Sequence, residues 1–332
     1  MATPDEIAAA ARLLEAGGLV AFPTETVYGL GADAENPAAV AGIYALKGRP
    51  SKHPVIVHLA PEADIGYWVT ALPPEAQRLI DVFWPGPLTL ILKRAAYIPD
   101  AVSGGQDTIG LRCPSHPLAQ DLLREFKHGR GGLAAPSANR FGHVSPTTAQ
   151  HVRDEFGSAL PCVLDGGPSD VGIESTIIDL SRAQPALLRP GQIGAQRIAD
   201  VLGVWPQAPD AAAPRVSGAL DSHYAPRTPV ALLDTSRIAD VVARLAAHGK
   251  RAALIHYTAC ADSSLFAQCV MPADADGYAQ SLYAALRAMD AEGADFILLE
   301  APPESGEWQG INDRLRRAAH DTSGMLNGLV TR

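Results

Sequence analysis

The sequence predicts an α/β protein in two parts, a larger domain on a twisted sheet of mixed strand direction and a smaller Rossmann-like α/β domain behind it. Three observations carry this prediction. Short apolar, strand-like runs alternate with amphipathic helical stretches through residues 1–205. A stretch without periodicity, Pro206-Gln-Ala-Pro-Asp-Ala-Ala-Ala-Pro214, then breaks the pattern. Beyond it the alternation restarts as a simpler βα rhythm. With 332 residues, 47% of them apolar and 19% charged, the chain has the length and hydrophobicity to bury two cores.

Taken in order, residues 4–17 read as a helix with Ile7, Ala10, Ala11 and Leu14 on one face and Gly17-Gly18 as its stop. Leu19–Phe22 reads as a short buried strand ending at Pro23. A helix follows Asn36-Pro37, with Asn36 suited to the N-cap and Pro37 to the first turn. Strands are predicted at Val55–Leu59, Leu88–Lys93, Ile109–Cys113, Leu133–Ala135, Cys162–Leu164 and Thr176–Leu180, and helices near 74–83, 116–127, 147–156 and 194–202. Residues 1–205 thus form the first domain and 206–229 a linker, with 230–332 as the second domain. In the latter, strands are expected at Val230–Leu233, Ala252–Tyr257 and Phe296–Glu300, and helices at 236–248, 275–292 and about 311–319.

The net charge of −9, with both parts acidic, argues against broad attraction to nucleic acid or anionic membranes. An anionic ligand must be gripped locally, by a few cations in a cleft. The opening Met-Ala-Thr-Pro-Asp-Glu has neither a basic nor an apolar region, so no secretory signal is expected, and no apolar run is long enough to cross a bilayer. Cys113, Cys162, Cys260 and Cys269 show no metal or redox spacing, which fits packed thiols in a reducing cytoplasm.

Two glycine patterns, Gly29-x-Gly31-x-x-Ala34 and Gly129-x-Gly131-x-x-Ala134, lack the strand–turn–helix context of a dinucleotide site and read as turns. No Walker sequence, nucleophile elbow or HExxH is present. The sharper constellation starts at Phe22-Pro-Thr-Glu-Thr-Val-Tyr-Gly-Leu-Gly31, where hydroxyls crowd the end of a buried strand. Lys47-Gly-Arg49-Pro50 follows, two cations able to address different oxygens of one polyphosphate. Ser137-Ala-Asn139 supplies donors for phosphate, ribose or carboxylate oxygens. Gly172-Ile-Glu-Ser175-Thr176-Ile and Leu188-Arg189-Pro190-Gly191 complete the set. Arg112 lies on an otherwise apolar strand and so requires an anionic partner.

These residues carry a resemblance. The run from Phe22 to Leu59 with Lys47-x-Arg49, together with Trp84-Pro-Gly-Pro-Leu-Thr-Leu90, Ser137-x-Asn139, Ser145-Pro146, Gly172–Ile177 and Leu188–Gly191, resembles the YrdC/TsaC family over roughly residues 7–202. The remainder resembles the family's long form, with His223-Tyr224-Ala-Pro226 as its linker signature. Ser217-Gly218-Ala219 stands where that family usually has Pro-Gly-Met, and His53 where many relatives carry Asn.

The resemblance implies synthesis of threonylcarbamoyl-AMP and pyrophosphate from L-threonine, bicarbonate and ATP, to feed modification of the adenosine beside the anticodon in tRNA. It implies Lys47 and Arg49 as catalytic cations on the phosphates and Arg189 as a third. His53, Thr108, Ser137, Asn139 and Ser145 would contact the nucleotide, and Tyr224 would cover it as a lid. Arg112 would clamp the threonine carboxylate, with Thr26, His58, Ser175 and the Ala135 backbone around the rest of that amino acid. Magnesium would arrive with ATP, with no organic cofactor and no protein metal site. Other proteins would complete the transfer to tRNA, so contact with tRNA itself is expected to be weak or absent. The competing reading is a double-stranded RNA or tRNA-binding module, which the acidic balance disfavours. A second rival, carbamoyl transfer in hydrogenase maturation, requires acylphosphatase-like and cysteine-rich segments that this chain lacks.

Overall fold

A computed structural model describes residues 2–218, 224–258 and 265–320. The chain forms two compact units, Met1–Phe141 with Ser145–Ala219, and Gly142–Val144 with Leu220–Arg332.

The first unit runs α1 (Pro4–Glu15), β1 (Val20–Phe22), β2 (Gly29–Asp33), α2 (Pro37–Lys47), β3 (Ile56–Leu59), α3 (Pro74–Phe83), β4 (Leu88–Lys93), a single turn α4 (Asp100–Ser103), β5 (Thr108–Arg112), α5 (Pro117–Glu125), β6 (Gly132–Ala134), α6 (Ala149–Phe156), β7 (Thr176–Asp179), β8 (Ala186–Arg189) and α7 (Ala195–Leu202). Its eight strands form one sheet in the order β1-β2-β6-β3-β5-β4-β7-β8. The β3/β5 and β4/β7 pairs are parallel and the others antiparallel, which gives the mixed sheet that the sequence predicts.

Local chemistry explains where the elements begin and end. Asn36 caps α2 by accepting hydrogen bonds from the Ala38 and Ala39 amides, Pro37 fills the first turn, and Gly48 ends the helix at φ 64°. That left-handed glycine turns the chain between Lys47 and Arg49. Period-two alternation then sorts the sheet into two faces. Val57, Leu59, Leu88, Leu90, Leu92, Ile109 and Leu111 enter the main apolar core. Ile56, His58, Thr89, Ile91, Thr108, Gly110 and Arg112 occupy the alternate positions on the other face.

Two sequence expectations are corrected here. Gly29-x-Gly31 is not a turn but part of β2, paired with β1. The glycines are required by the ring of Phe22: a Cβ at Gly31 would lie 2.9 Å from Phe22 Cε1. Cys162–Leu164 is not a strand; only Val163 forms an isolated bridge, to Ala21. Both β8 and the turn α4 are additions to the predicted elements.

Residues 206–217, read as linker, pack as part of the first unit. The backbone of Gln207 bonds to Pro185 and Leu187, Asp210 pairs with Arg182, and Val216 joins an apolar cluster with Ile91, Ile177 and Leu188.

The second unit holds β9 (Val230–Leu233), α8 (Thr235–Ala247), β10 (Ala252–His256), β11 (Ala267–Val270), α9 (Ala275–Ala291), β12 (Phe296–Glu300) and α10 (Gln309–Ala318). Its four strands are all parallel, in the order β11-β10-β12-β9. The last strand is inserted between the first two, a variation on the Rossmann-like rhythm. Glu300, fully buried, accepts from the hydroxyls of Thr235 and Thr258 and from the amides of Tyr257 and Thr258. These four neutral donors tie two segments, the start of α8 and the residues after β10, to the end of β12. Strand β11 was missed because its short Ala-Gln-Cys-Val sequence alternates half-buried with exposed positions at the sheet edge.

Candidate active site

The first unit carries two groups of buried charge. The first centres on Arg112 at the end of β5. Its anionic partner is Glu25, with Nη2 2.8 Å from Oε1 and both side chains about 5% exposed or less. Arg112 Nη1 donates to Thr26 Oγ1 at 2.8 Å and Nε to the Gly86 carbonyl at 3.3 Å. Glu25 sits inside the quoted Phe22–Gly31 motif, but the sequence reading gave it no role.

The hydroxyls beside Arg112 have a fixed polarity. Thr24 Oγ1 donates to the Val27 carbonyl at 2.6 Å, so in its 2.9 Å contact with Thr26 Oγ1 it must accept. Thr26 therefore gives its proton to Thr24 and takes one from Arg112. Toward a ligand it has only a lone pair left, which suits an ammonium or hydroxyl donor rather than a carboxylate.

His58, on the adjacent strand β3, is level with Arg112 in the sheet register. Its ring lies edge-on to Phe22 at 6.1 Å, and its Nδ1 is buried without a hydrogen-bond partner. Burial, reinforced by the neighbouring Arg112 charge, pushes its pKa from 6.5 down to about 3. His58 is thus neutral in the folded protein at ordinary pH. Because the unfolded chain takes up that proton first, stability contributed by the neutral ring should be lost as pH falls from 6.5 toward 3. Melting temperatures measured across that window are expected to fall, with a shallower slope in His58→Asn. The Ala135 amide is committed to the Ile56 carbonyl at 2.9 Å.

The second group gathers Lys47, Arg49 and Arg189, all buried. Lys47 Nζ donates to the Ser137 carbonyl at 2.5 Å and to the Asn139 carbonyl, fastening the loop after β6. Burial, followed by the Arg49 charge, holds its pKa well below 10.5. Arg49 donates to the Pro54 carbonyl at 2.8 Å and reaches Ser217 Oγ at 3.4 Å, with its guanidinium carbon 6.0 Å from the centre of the Phe141 ring. His53 packs against the same ring at 5.5 Å. Arg189 donates from Nη1 to the Ser217 carbonyl at 2.9 Å and from Nε and Nη2 to the Ser175 carbonyl. Ser217 thereby brings two of the predicted phosphate cations together.

Ser175 stands between the two groups, with Oγ 2.7 Å from Thr89 Oγ1 and accepting from Arg189 Nη2 at 3.1 Å. Ser145 Oγ donates to Glu174 Oε1 at 2.6 Å, so Glu174 is a second acidic neighbour that the sequence reading left without a role. Asn139 Nδ2 donates to the Arg140 carbonyl at 2.8 Å. Thr108 lines a small crevice with Ile56, Gly110, Arg215, Val216 and Ser217. Gly110, between Thr108 and Arg112 on β5, leaves the face bare; a Cβ there would come within 3.2 Å of Ile91 Cδ1.

Tyr224 is placed in the second unit, buried at φ 61° between the Tyr283 ring at 5.7 Å and the Arg314 guanidinium at 5.5 Å. Its signature neighbour His223, along with Ala219 and Cys260, lies outside the described residues. Among the described residues, no group of three or more His, Cys, Asp or Glu is arranged to hold a metal ion.

Buried cations and directed hydroxyls in a mixed-sheet domain, followed in the chain by a parallel α/β module, define a two-domain α/β protein with a charged interior site. The particular combination is that of the Sua5/YciO/YrdC family, to which this chain belongs in its two-domain form. The family model described as Telomere recombination matches residues 12–191, and that of the Threonylcarbamoyl-AMP synthase C-terminal domain matches residues 193–320. The chain is 37% identical to the threonylcarbamoyl-AMP synthase of Pyrococcus abyssi over 327 residues, covering 95% of this chain and 94% of that protein. It is 40% identical to that of Bacillus subtilis over 329 residues, covering 95% and 93%. The crystal structure of P. abyssi Sua5 complexed with L-threonine superposes with a TM-score of 0.89 at 35% identity, covering 96% of each chain.

Proposed function

We propose that this chain is an L-threonylcarbamoyladenylate synthase that joins L-threonine, bicarbonate and ATP to give threonylcarbamoyl-AMP and pyrophosphate. The near-full-length likeness to named synthases carries this reading. Buried cations in two places, Arg112 in one and Lys47, Arg49 and Arg189 in the other, support it, because the reaction brings together a carboxylate and a polyphosphate.

The threonine amine takes up bicarbonate-derived carbon to form a carbamate, whose oxygen attacks the α-phosphorus as pyrophosphate leaves. Such a transfer needs positioned reactants and neutralised oxygens rather than a protein nucleophile. Arg112 takes the threonine carboxylate. Thr26, His58 and Ser175, with the Ala135 backbone, meet its amine and hydroxyl. The lone pair left on Thr26 suits such a donor. Lys47, Arg49 and Arg189 neutralise the phosphates. His53, Thr108, Ser137, Asn139 and Ser145 line the nucleotide, whereas Tyr224, buried within the second unit, is given no part in it. Magnesium arriving with ATP would supply neutralisation of part of the phosphate charge.

The product supplies a tRNA threonylcarbamoyl-transfer complex, and the net charge of −9 fits an enzyme that does not itself hold tRNA tightly. No helix among the described residues is long and apolar enough to cross a membrane.

Pyrophosphate release by the purified protein is expected to require both threonine and bicarbonate. Arg49→Ala is expected to lower kcat/KM by about 100-fold, the scale of losing one preorganised donor to developing charge. Release without threonine would replace this reading with a different acceptor. No release combined with salt-resistant RNA binding would replace it with an RNA-binding role.

A further inference from the structure

Among buried groups to which the proposed reaction gives no part, Glu25 has the least satisfied chemistry. It lies in the turn between β1 and β2, only 4% exposed, and both carboxylate oxygens are enclosed without an aligned hydrogen-bond donor. Arg112 Nη2 approaches one of them to 2.8 Å, yet that nitrogen also lacks an aligned acceptor. The contact is one of charge, poorly directed as a hydrogen bond. Meanwhile the guanidinium is fixed by the neutral acceptors Thr26 Oγ1 and Gly86 O. Arg112 is therefore held in place by one set of atoms and has its charge balanced by another.

We propose that Glu25 is a positioning residue of the threonine pocket, which balances the Arg112 guanidinium when the pocket is empty and yields it in part to the substrate's carboxylate. The proposal rests on the assignment of Arg112 to that carboxylate. Its chemistry follows from two anions sharing one cation. Glu25 neutralises a buried guanidinium before substrate arrives, and its negative charge opposes the incoming carboxylate. The grip on threonine is thereby weakened, which is tolerable because binding shared equally by ground and transition states does not raise kcat.

The test is calorimetric titration of the full-length protein with L-threonine alone, beside steady-state kinetics. Glu25→Gln keeps the side chain's size and removes its charge. It is expected to bind threonine about tenfold more tightly without a rise in kcat, because the guanidinium gains its full charge while Thr26 Oγ1 and the Gly86 carbonyl still hold it. L-Threoninamide, which has no carboxylate, is expected to bind the variant and the wild type equally. Glu25→Asp, which retains the charge one methylene further back, should fall between them; where the glutamine variant does not fold, this variant carries the test with the same signs.

Unchanged threonine affinity in a folded Glu25→Gln protein would overturn the proposal in favour of a purely architectural pair. Weaker affinity would overturn it in favour of Glu25 receiving the substrate's ammonium. Threonine affinity indifferent to Arg112→Gln would overturn both the proposal and the assignment beneath it, while the pyrophosphate assay reports separately on the synthase reading.

Discussion

Replacing Lys47 with methionine is expected to lower ATP-dependent pyrophosphate release by roughly 100- to 1,000-fold. Two losses combine at this position. The ammonium is nearly fully buried, and its hydrogen bonds to the Ser137 and Asn139 carbonyls fix the loop bearing two proposed nucleotide contacts. Methionine fills a similar volume but leaves both carbonyls without that donor, at about 1–3 kcal/mol for each one left buried and unsatisfied. It also removes a cation from the phosphate group, where charge builds as pyrophosphate departs. Lys47→Arg should recover little, because a planar fork cannot reproduce a compact ammonium between two carbonyls. The wild-type pH profile supplies a second readout. Burial and Arg49 shift Lys47 toward its neutral form, so kcat/KM for ATP is expected to decline as pH rises through a pKa well below 10.5. That limb should disappear in the methionine variant, whatever its residual rate.

The second large effect is expected at Arg112. Arg112→Gln should raise the KM for threonine by about 100-fold or more and leave that for ATP nearly unchanged, since a charge-assisted bidentate grip is lost at one substrate only. It should also destabilise the fold by about 3–5 kcal/mol, because Glu25 would be left as a buried anion without its cation. Chemical denaturation checks the stability change and initial-rate kinetics the substrate dependence. The two effects are separable. Removing the orphaned charge as well, in Glu25→Gln/Arg112→Gln, should restore much of the stability while threonine KM stays high. A double variant as unstable as the single one would show that packing, not charge, dominates this corner.

Much of this architecture is legible in the sequence because its signals are local. The apolar runs at 88–93 and 296–300 have no competing interpretation, and both become strands with the predicted ends. Asn36-Pro37 and Gly48 specify both ends of α2 by capping and backbone freedom alone. What was lost depends on neighbours far along the chain. Gly29 and Gly31 mimic a turn unless one knows that Phe22 lies across them. Strand β8 is four residues long and closely followed by Pro190, so only its pairing with β7 defines it. The site follows the same division. Residue types fixed which side chains merit roles, and the lone Arg112 demanded an anion. That the anion is Glu25, 87 positions earlier in the chain, is a fact of sheet order. Likewise nothing local reveals that Ser217 joins Arg49 to Arg189.

The bare position at Gly110 has a kinetic meaning. On the proposed assignment Thr108 and Arg112 belong to opposite substrates, and four residues of extended chain set them about 13 Å apart. The carbamate of one bound substrate and the phosphorus of the other would then have to meet between those two ends. A side chain at the midpoint would leave each socket able to fill and would act on the encounter between their occupants. On that assignment specificity and reactivity would be written on the same strand in alternate letters, with sockets at its ends and the meeting place at the one residue of β5 that has no side chain.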